Sequence, residues 1–287
     1  SREVCPQAVD LYLTYQYVPH PTSILKGYHR LPPAHFAVFD ESGLRVERFW
    51  RPPYEPGISP QVGLDPDSPL AEPTVETSSW DLSRWQSELR EALTEAVRLR
   101  MRSDVPLGAF LSGGVDSTII AGLMQQLSDR PVHTFSIGFP IAKFDERSFA
   151  REASKMLGTE HHEQVVEPSA LSILPKLVWH YDEPFSDSSA IPTMYLSEMT
   201  RQFVTVALSG DGGDELFAGY DRYKAVRVAA MIDRLPRPLK AILTADFWQK
   251  LPARVEQKSF RRRVKRLLAA LGQPSQRRYL RWISIFD

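Results

Sequence analysis

The sequence predicts an α/β fold, in which a parallel sheet is flanked by helices. Short apolar runs alternate with amphipathic helical patterns along residues 80–287, and two of these runs end in loops rich in glycine and acids. The 287 residues are 43% hydrophobic, which is enough for a core of ordinary size, and carry 35 acidic and 35 basic side chains. This charge balance argues against a general nucleic-acid-binding protein.

The first 79 residues form two parts of different composition. Within residues 1–50 the apolar pattern predicts a helix or strand over 12–17 and a hairpin of two strands, 35–39 and 44–49. The part that follows is rich in proline, glycine, serine and acids and lacks periodicity, as is typical of an extended linker. The predicted organisation is therefore residues 1–50, a linker over 51–79 and a main domain over 80–287.

The main domain is predicted to alternate helices and strands. Its first helix has Trp85, Leu89 and Leu93 at helical spacing and Ser78 or Ser79 as its cap. The elements that follow are strands over 105–111, 132–139, 161–166 and 203–208, and helices over 119–127, 146–157, 170–181 and 191–202. Repeated βα units of this kind predict right-handed crossovers between parallel strands.

Cysteine content and hydropathy bear on the compartment and on metal sites. Cys5 is the single cysteine, so the chain has no disulfide framework. No apolar run is long enough to cross a membrane and no signal peptide is evident, so we expect a cytoplasmic protein. His161 and His162 are neighbours on a predicted strand and point to opposite faces, so we expect structural roles for them and no Cys/His metal site.

The segment 111–118, Leu-Ser-Gly-Gly-Val-Asp-Ser-Thr, has the pattern of a phosphate-binding loop between a strand and a helix. Gly113 and Gly114 allow close approach of the backbone, while Ser112, Ser117 and the first N–H groups of the helix are donors. Asp116 repels phosphate unless a divalent cation lies between them, so it predicts Mg²⁺. The alternative is an ordinary glycine turn in which the same side chains only cap the helix.

A second loop, 209–220, reads Ser-Gly-Asp-Gly-Gly-Asp-Glu-Leu-Phe-Ala-Gly-Tyr and follows another apolar run. Ligands of open α/β sheets bind beyond the carboxyl ends of the strands, so both loops are expected to face one crevice. Asp116 and Asp214 are then the predicted metal pair, with Ser209 and Gly210 beside the ligand. The alternative is a glycine-rich surface turn with solvated acids.

The first loop resembles the S-G-G-x-D-S loop of the ATP pyrophosphatase (PP-loop) family, whose members cleave ATP between its α- and β-phosphates. The second loop resembles the synthetase domain of glutamine-dependent asparagine synthetases, and this resemblance extends from about residue 11 to residue 223. It implies an adenine nucleotide alpha hydrolase-like fold with ATP and Mg²⁺ as cofactors. It also implies adenine contacts from Leu111, Ile137 and Gly138, although Leu111 and Ile137 are equally suited to the core.

The resemblance implies an amide-forming ligase. The side-chain carboxylate of aspartate is converted to an acyl-adenylate, and ammonia then displaces AMP. Asp211 stands where the family has Asp or Glu and is the expected general base, with Tyr220 as a weaker candidate. Another carboxylate acceptor (a peptide, a sugar acid or a β-lactam precursor), a non-catalytic ATP-binding module, and a monomer or a homodimer all remain open.

Residues 1–50 resemble the end of the glutaminase domain that normally precedes the synthetase domain in the same chain. Position 1 is serine and Cys5 is internal, whereas the glutaminase reaction needs an N-terminal cysteine, so we expect no glutaminase activity. The resemblance also implies a lysine beyond position 287 that contacts the phosphates. The chain is therefore expected to be a fragment that depends on added ammonia.

Three further predictions concern side chains near the strand ends and at the carboxyl end of the chain. Glu146 is expected to cap the helix that it begins. Asp187 and Ser188 are expected to lie over the crevice, because their polar loop joins two apolar helices. The basic residues of 258–266 alternate with apolar ones and are expected to form the solvated face of an amphipathic helix.

Overall fold

The computed structural model describes residues 2–51, 81–140, 145–167, 170–236, 238–239 and 260–283. The amino-terminal segment contains a helix and a two-stranded antiparallel hairpin, namely α1 (Pro6–Tyr15), β1 (His35–Asp40) and β2 (Gly43–Arg48). The hairpin agrees with the sequence prediction, whereas the helix begins earlier than predicted, because Pro6 is well suited to a first helical position. Apart from Arg51, the predicted linker lies outside the described residues.

The main domain is built on a four-stranded parallel sheet, as predicted. Its strand order is β5-β4-β3-β6, and every neighbouring pair is parallel. Three of the strands, β3, β4 and β6, are shorter than the apolar runs that predicted them. The bounds are β3 (Leu107–Phe110), β4 (His133–Gly138), β5 (Glu160–Val165) and β6 (Val206–Leu208).

Helices connect and follow these strands. Those up to β6 agree with the predicted order, and α7 is a single turn inside the second glycine-rich loop. The bounds are α2 (Leu82–Arg100), α3 (Val115–Gln126), α4 (Arg147–Leu157), α5 (Ala170–Tyr181), α6 (Ala190–Thr200), α7 (Gly213–Leu216), α8 (Asp221–Asp233), α9 (Phe260–Ala270) and α10 (Ser275–Ile283). The predicted amphipathic helix thus matches α9, although most of its basic side chains lie outside the described residues.

Two predicted helix caps were wrong. Asp81 caps α2, since its carboxylate accepts hydrogen bonds from the backbone N–H groups of Ser83 and Arg84. Glu146 occupies the N-cap position of α4, but its side chain makes no capping hydrogen bond. The carboxylate of Asp145 accepts one from the backbone N–H of Arg147 instead, and also pairs with the Arg147 guanidinium. At α4 the aspartate beside Glu146 has the shorter side chain that capping needs, whereas the N-cap position of α2 is Asp81, two residues after the nearer predicted serine.

The sheet separates two hydrophobic clusters, as a sheet covered on both faces requires. Side chains alternate along β3, so Ala109 and Leu111 pack with α2, α3 and α4, whereas Phe110 points to the opposite face. On that face Phe135 packs with Met199 of α6 and with Val204. No helix among the described residues is long and apolar enough to cross a membrane.

The amino-terminal segment is attached to the main domain by the loop before α6. The Glu183 carboxylate accepts hydrogen bonds from the Ser23 hydroxyl (2.6 Å) and from the backbone N–H of Ile24 (2.9 Å). The backbone N–H of Ser186 donates to the carbonyl of Gln16. Residues 16–24 therefore have a fixed place on the main domain.

Candidate functional site

A cavity of about 590 Å³ opens beyond the carboxyl ends of β3, β4 and β6. This volume lies within the range of about 300–1,000 Å³ that is usual for small-molecule sites. The cavity has a polar half, formed by the two glycine-rich loops, and an apolar half. The apolar wall consists of Phe110, Leu111, Phe135, Ile137, Phe139 and Leu196.

The first loop is held by hydrogen bonds between its two serines. The Ser112 and Ser117 hydroxyl oxygens are 3.0 Å apart, and the Ser112 hydroxyl also accepts from the backbone N–H of Gly114. The N-cap of α3 is Gly114, which has no side chain to cap the helix. The first N–H groups of α3 are therefore left for a ligand in the cavity. Such a helix end is suited to an anion.

Gly113 has a structural reason to be glycine. Its φ is +79°, and a Cβ at this position would lie 2.5 Å from the backbone carbonyl carbon of Phe149 in α4. The loop can therefore pack directly on α4 only without a side chain at position 113. Gly113 does not line the cavity.

The two loops touch at the start of α3. A Cβ on Gly210 would lie 2.7 Å from the backbone nitrogen of Ser117, and one on Gly213 would lie 2.5 Å from Cγ of Asp116. Glycine at both positions thus lets the second loop lie directly against the first. Asp116 and Asp214 consequently line the same cavity.

The acidic half of the cavity also contains Asp211, just after β6. Oδ2 of Asp211 accepts a hydrogen bond of 2.8 Å from the Ser209 hydroxyl, and this hydroxyl in turn accepts one from the Asp211 backbone N–H. These two bonds fix the orientation of the carboxylate. Asp211 is exposed, so the carboxylate is accessible to a ligand.

Tyr220 lies at the same end of the cavity. Its hydroxyl donates a hydrogen bond of 2.5 Å to Oε1 of Glu215. This hydrogen bond raises the pKa of Tyr220 to about 12 and lowers the pKa of Glu215. The Arg222 guanidinium lies over the phenol ring, 4.1 Å from its centre. Tyr220 therefore remains protonated at neutral pH, which argues against the predicted role as a general base.

Ser136 links the cavity to a buried polar network behind it. Its hydroxyl is 3.1 Å from Nε2 of His161, and Nδ1 of the same ring is 3.0 Å from the Thr134 hydroxyl. Burial lowers the pKa of His161, so the neutral ring bridges the two hydroxyls. This contact is consistent with the structural role predicted for His161.

The structure brings all the predicted site residues to the cavity wall except Gly113 and Gly138. Gly138 lies beneath the Asp145–Arg147 ion pair, and its contact with the cofactor stays a prediction. Asp187 and Ser188 do not line the cavity either. Asp187 accepts a hydrogen bond from the Ser189 backbone N–H, and Pro192, Thr193 and Leu196 of α6 form that wall.

Sequence reasoning missed Thr193 and Glu215, which line the cavity, and favoured a helix cap for Glu146, which also lines it. Glu215 directly follows Asp214 in the motif, so a signal for it was present. Glu146 and Thr193 reach the site through packing of α4 and α6 on the sheet, and no local pattern indicates this.

The side chains at the polar half fit a hard divalent cation. Asp116 and Asp214 supply carboxylate oxygens, the ligand type that Mg²⁺ prefers, and they lie beside hydroxyl and N–H donors suited to phosphate. Glycine at 213 leaves the Asp116 carboxylate uncovered by a side chain from the second loop. A magnesium–nucleotide complex matches both sets of groups.

Comparison with known proteins gives the family. The model of the asparagine synthase family matches residues 88–286. The chain belongs to this family. It is 37% identical over 240 residues to a putative glutamine-hydrolysing asparagine synthetase 2 of Methanocaldococcus jannaschii, covering 82% of this chain and 42% of that protein.

A second relative is the glutamine-hydrolysing asparagine synthetase 1 of Bacillus subtilis, 32% identical over 243 residues. The match covers 84% of this chain and 35% of that protein. The chain of 287 residues therefore matches less than half the length of either relative. Among solved structures, an NH3-dependent NAD synthetase from Campylobacter jejuni matches 60% of this chain and 99% of its own, at 14% identity and a TM-score of 0.34.

Proposed function

We propose that this chain activates the side-chain carboxylate of aspartate with ATP and transfers ammonia to it, giving asparagine. The observation that carries the proposal is the contact of Gly210 and Gly213 with the start of α3, which unites two acidic loops in one cavity. Membership of the asparagine synthase family supports the reaction type. The apolar half of the cavity provides room for the adenine ring of ATP, and the polar half provides room for its phosphates.

In the first step a carboxylate oxygen of aspartate attacks the α-phosphorus of ATP. The bond from that phosphorus to the bridging oxygen breaks, and pyrophosphate leaves. The hydroxyls of Ser112 and Ser117 and the first N–H groups of α3 donate to phosphate oxygens, while Leu111 and Ile137 contact the adenine. Asp116 and Asp214 would hold Mg²⁺, which supplies charge neutralisation between carboxylates and phosphates.

In the second step the nitrogen of ammonia attacks the acyl carbon, the bond from this carbon to the AMP oxygen breaks, and the nitrogen loses a proton. Asp211 is the proposed proton acceptor, because its carboxylate is oriented by Ser209 and faces the cavity. The raised pKa of Tyr220 disfavours this role for the phenol. Tyr220 is instead a positioning residue for Glu215.

The source of ammonia is a further part of the proposal. The relatives are named glutamine-hydrolysing, and the chain spans less than half of each. We infer that a glutaminase domain releases the ammonia, that residues 1–50 are the end of that domain, and that residues 51–79 link it to the synthetase domain over 80–287. The contact of Glu183 with Ser23 and Ile24 is consistent with a fixed junction between them.

The proposal is tested by incubating the chain with Mg–ATP, aspartate and ammonium and identifying the products. AMP, pyrophosphate and asparagine are expected. Aspartate-dependent exchange of labelled pyrophosphate into ATP reports the first step alone. ADP as the nucleotide product would contradict the proposal, and AMP without asparagine would indicate a different acceptor.

Matched variants localise the reaction to the cavity. Asp116→Asn is expected to lower the exchange rate by at least about 100-fold, the usual effect of losing one group that stabilises transition-state charge. Asp129→Asn is the control, since Asp129 is exposed and does not line the cavity. Equal binding of Mg–ATP by Asp116→Asn and the original chain would exclude the metal role of Asp116.

A further inference from the structure

Three side chains with metal-ligand atoms meet on one face of the sheet, where β4 and β5 begin. His133 is directly opposite Glu160 in the ladder, and His162 lies two residues further along β5, on the same face. None of the three lines the nucleotide cavity, which opens at the carboxyl ends of the strands. The cluster is therefore separate from the site described above.

The donor atoms of the cluster lie close together. Nδ1 of His133 is 3.0 Å from Nε2 of His162. The Glu160 carboxylate oxygens are 3.6 Å from the former nitrogen and 3.5 Å from the latter. Around a tetrahedral zinc ion with ligands at about 2.0–2.1 Å, neighbouring donors are about 3.3 Å apart. The three separations lie on either side of this value, so a small adjustment would place one ion at equal distance from all three side chains.

Packing fixes the orientation of the His162 ring. The ring centre is 5.2 Å from that of Phe135, with the planes at 19°, and 4.0 Å from that of Phe203. The His162 side chain is 18% exposed, whereas that of Glu160 is 55% exposed. One side of the cluster is thus rigid and apolar, and the other opens to solvent, where water can complete the coordination.

A hydrogen bond between the His133 and His162 rings accounts for the 3.0 Å between their nitrogens. It does not account for the direction of the Glu160 carboxylate. Its oxygens are too far from the nitrogens for hydrogen bonds, yet they face both of them. Two imidazoles and one carboxylate form a ligand set for zinc and similar transition metals, whereas Mg²⁺ prefers oxygen ligands alone.

We propose that His133, Glu160 and His162 form a site for a divalent transition cation, Zn²⁺ above all, that joins β5 to β4. β5 is at one end of the described strand order, so the ion would fasten a strand that has a neighbour on one side. Because the cluster lies outside the cavity, the proposal gives the ion no part in the ligase reaction.

The site is tested by calorimetric titration of the full chain, without an affinity tag and carrying Cys5→Ser, with Zn²⁺ in excess Mg²⁺. The magnesium is added to compete with zinc for the carboxylates of the cavity. One zinc per chain and a higher melting temperature are expected. Glu160→Gln and His162→Phe should each weaken binding by more than about 100-fold, because loss of even an outer partner of a metal ligand costs up to that factor.

The variants are chosen to preserve the fold. Glu160 is mostly exposed, and phenylalanine at position 162 keeps an aromatic ring against Phe135 and Phe203. His29→Ala removes an exposed histidine elsewhere and should leave zinc binding unchanged. The proposal is wrong if the original chain binds no zinc, or if Glu160→Gln binds it with unchanged affinity.

Discussion

The carboxylate of Asp116 lies against the α-carbon of Gly213, so closely that a Cβ at position 213 would be 2.5 Å from its Cγ. Asp116 lies in the first turn of the helix after β3, whereas Gly213 begins the single turn after β6. The contact therefore joins the two acidic loops, and the proposed Mg²⁺ site between them depends on it.

Replacement of Gly213 by alanine should weaken Mg–ATP binding about 10- to 100-fold. The added methyl group displaces the Asp116 carboxylate, and overpacking of this kind costs about 1–3 kcal/mol. Titration calorimetry with Mg–ATP measures the effect. Gly272→Ala is the matched control, because nothing lies within 4 Å of a Cβ at that position. Equal losses in both variants would contradict a specific role of the Asp116–Gly213 contact.

Leu111→Ala should lower both stability and nucleotide affinity. Leu111 is 1% exposed and packs in the cluster beneath α2, α3 and α4, and it also lines the cavity. Truncation of a buried leucine costs about 2–5 kcal/mol. Urea unfolding gives the loss of stability, and ATP titration below the unfolding transition gives the loss of affinity. Ala121→Gly in the same cluster is a control that removes core volume away from the cavity, and it should leave the affinity unchanged.

The hydrogen bond from Tyr220 to Glu215 should make stability depend on pH in the alkaline range. The pKa of Tyr220 in the folded chain, about 12, is above the ordinary tyrosine pKa of about 10, so the bond contributes fully below pH 10 and is lost as the pH rises to about 12. Urea unfolding from pH 9 to 12 should therefore show a smaller decline in Tyr220→Phe than in the original chain. Parallel declines would contradict the assignment.

The raised pKa of Tyr220 also predicts how the rate of asparagine formation depends on pH. Between pH 6 and pH 9.5 the Tyr220 phenol stays protonated, so Tyr220→Phe should change the rate of asparagine formation without changing the shape of its pH profile. Asp211→Asn should abolish asparagine formation and leave the aspartate-dependent exchange of labelled pyrophosphate into ATP intact, because the proposed base acts only in the second step. Loss of asparagine formation with intact exchange in Tyr220→Phe but not in Asp211→Asn would reverse the proposed roles.

Glu183→Ala should loosen the amino-terminal segment. It leaves the Ile24 N–H and the Ser23 hydroxyl without their acceptor, and an unsatisfied group of this kind costs about 1–3 kcal/mol. Hydrogen exchange of residues 16–30 should accelerate. Glu198→Ala is the control, since its ion pair with Lys176 is exposed and worth about 0–1 kcal/mol. Unchanged exchange in Glu183→Ala would show that other contacts hold the segment.

The sequence predicted those features that are local in the chain. Each strand, glycine loop and helix of the cavity lies within a short segment, so its residue pattern identified the loops, their serines and the three aspartates. Contacts that depend on the packing of distant elements were not predicted. Thr193 reaches the cavity because α6 packs on β4, and Glu146 because α4 does.

The histidines illustrate the same difference. His161 and His162 do point to opposite faces, as predicted, and His161 takes part in a polar network. The expectation that this excludes a His cluster was nevertheless incomplete, because the partner of His162 is His133, 29 residues away in sequence. The pairing of β4 with β5 sets that contact, and no spacing within one segment indicates it.

Because β6 is short, the proposed Mg–ATP ligand would also stabilise this edge of the sheet. This strand pairs with β3 over three residues, Val206–Leu208, and it lies at one end of the described strand order. A ligand that contacts Asp116 after β3 and Asp214 after β6 would cross-link the two strands, and local opening of this margin would then require the ligand to leave. The loaded protein should therefore resist proteolysis at residues 203–216 better than the empty one, and starvation for ATP would expose this segment first.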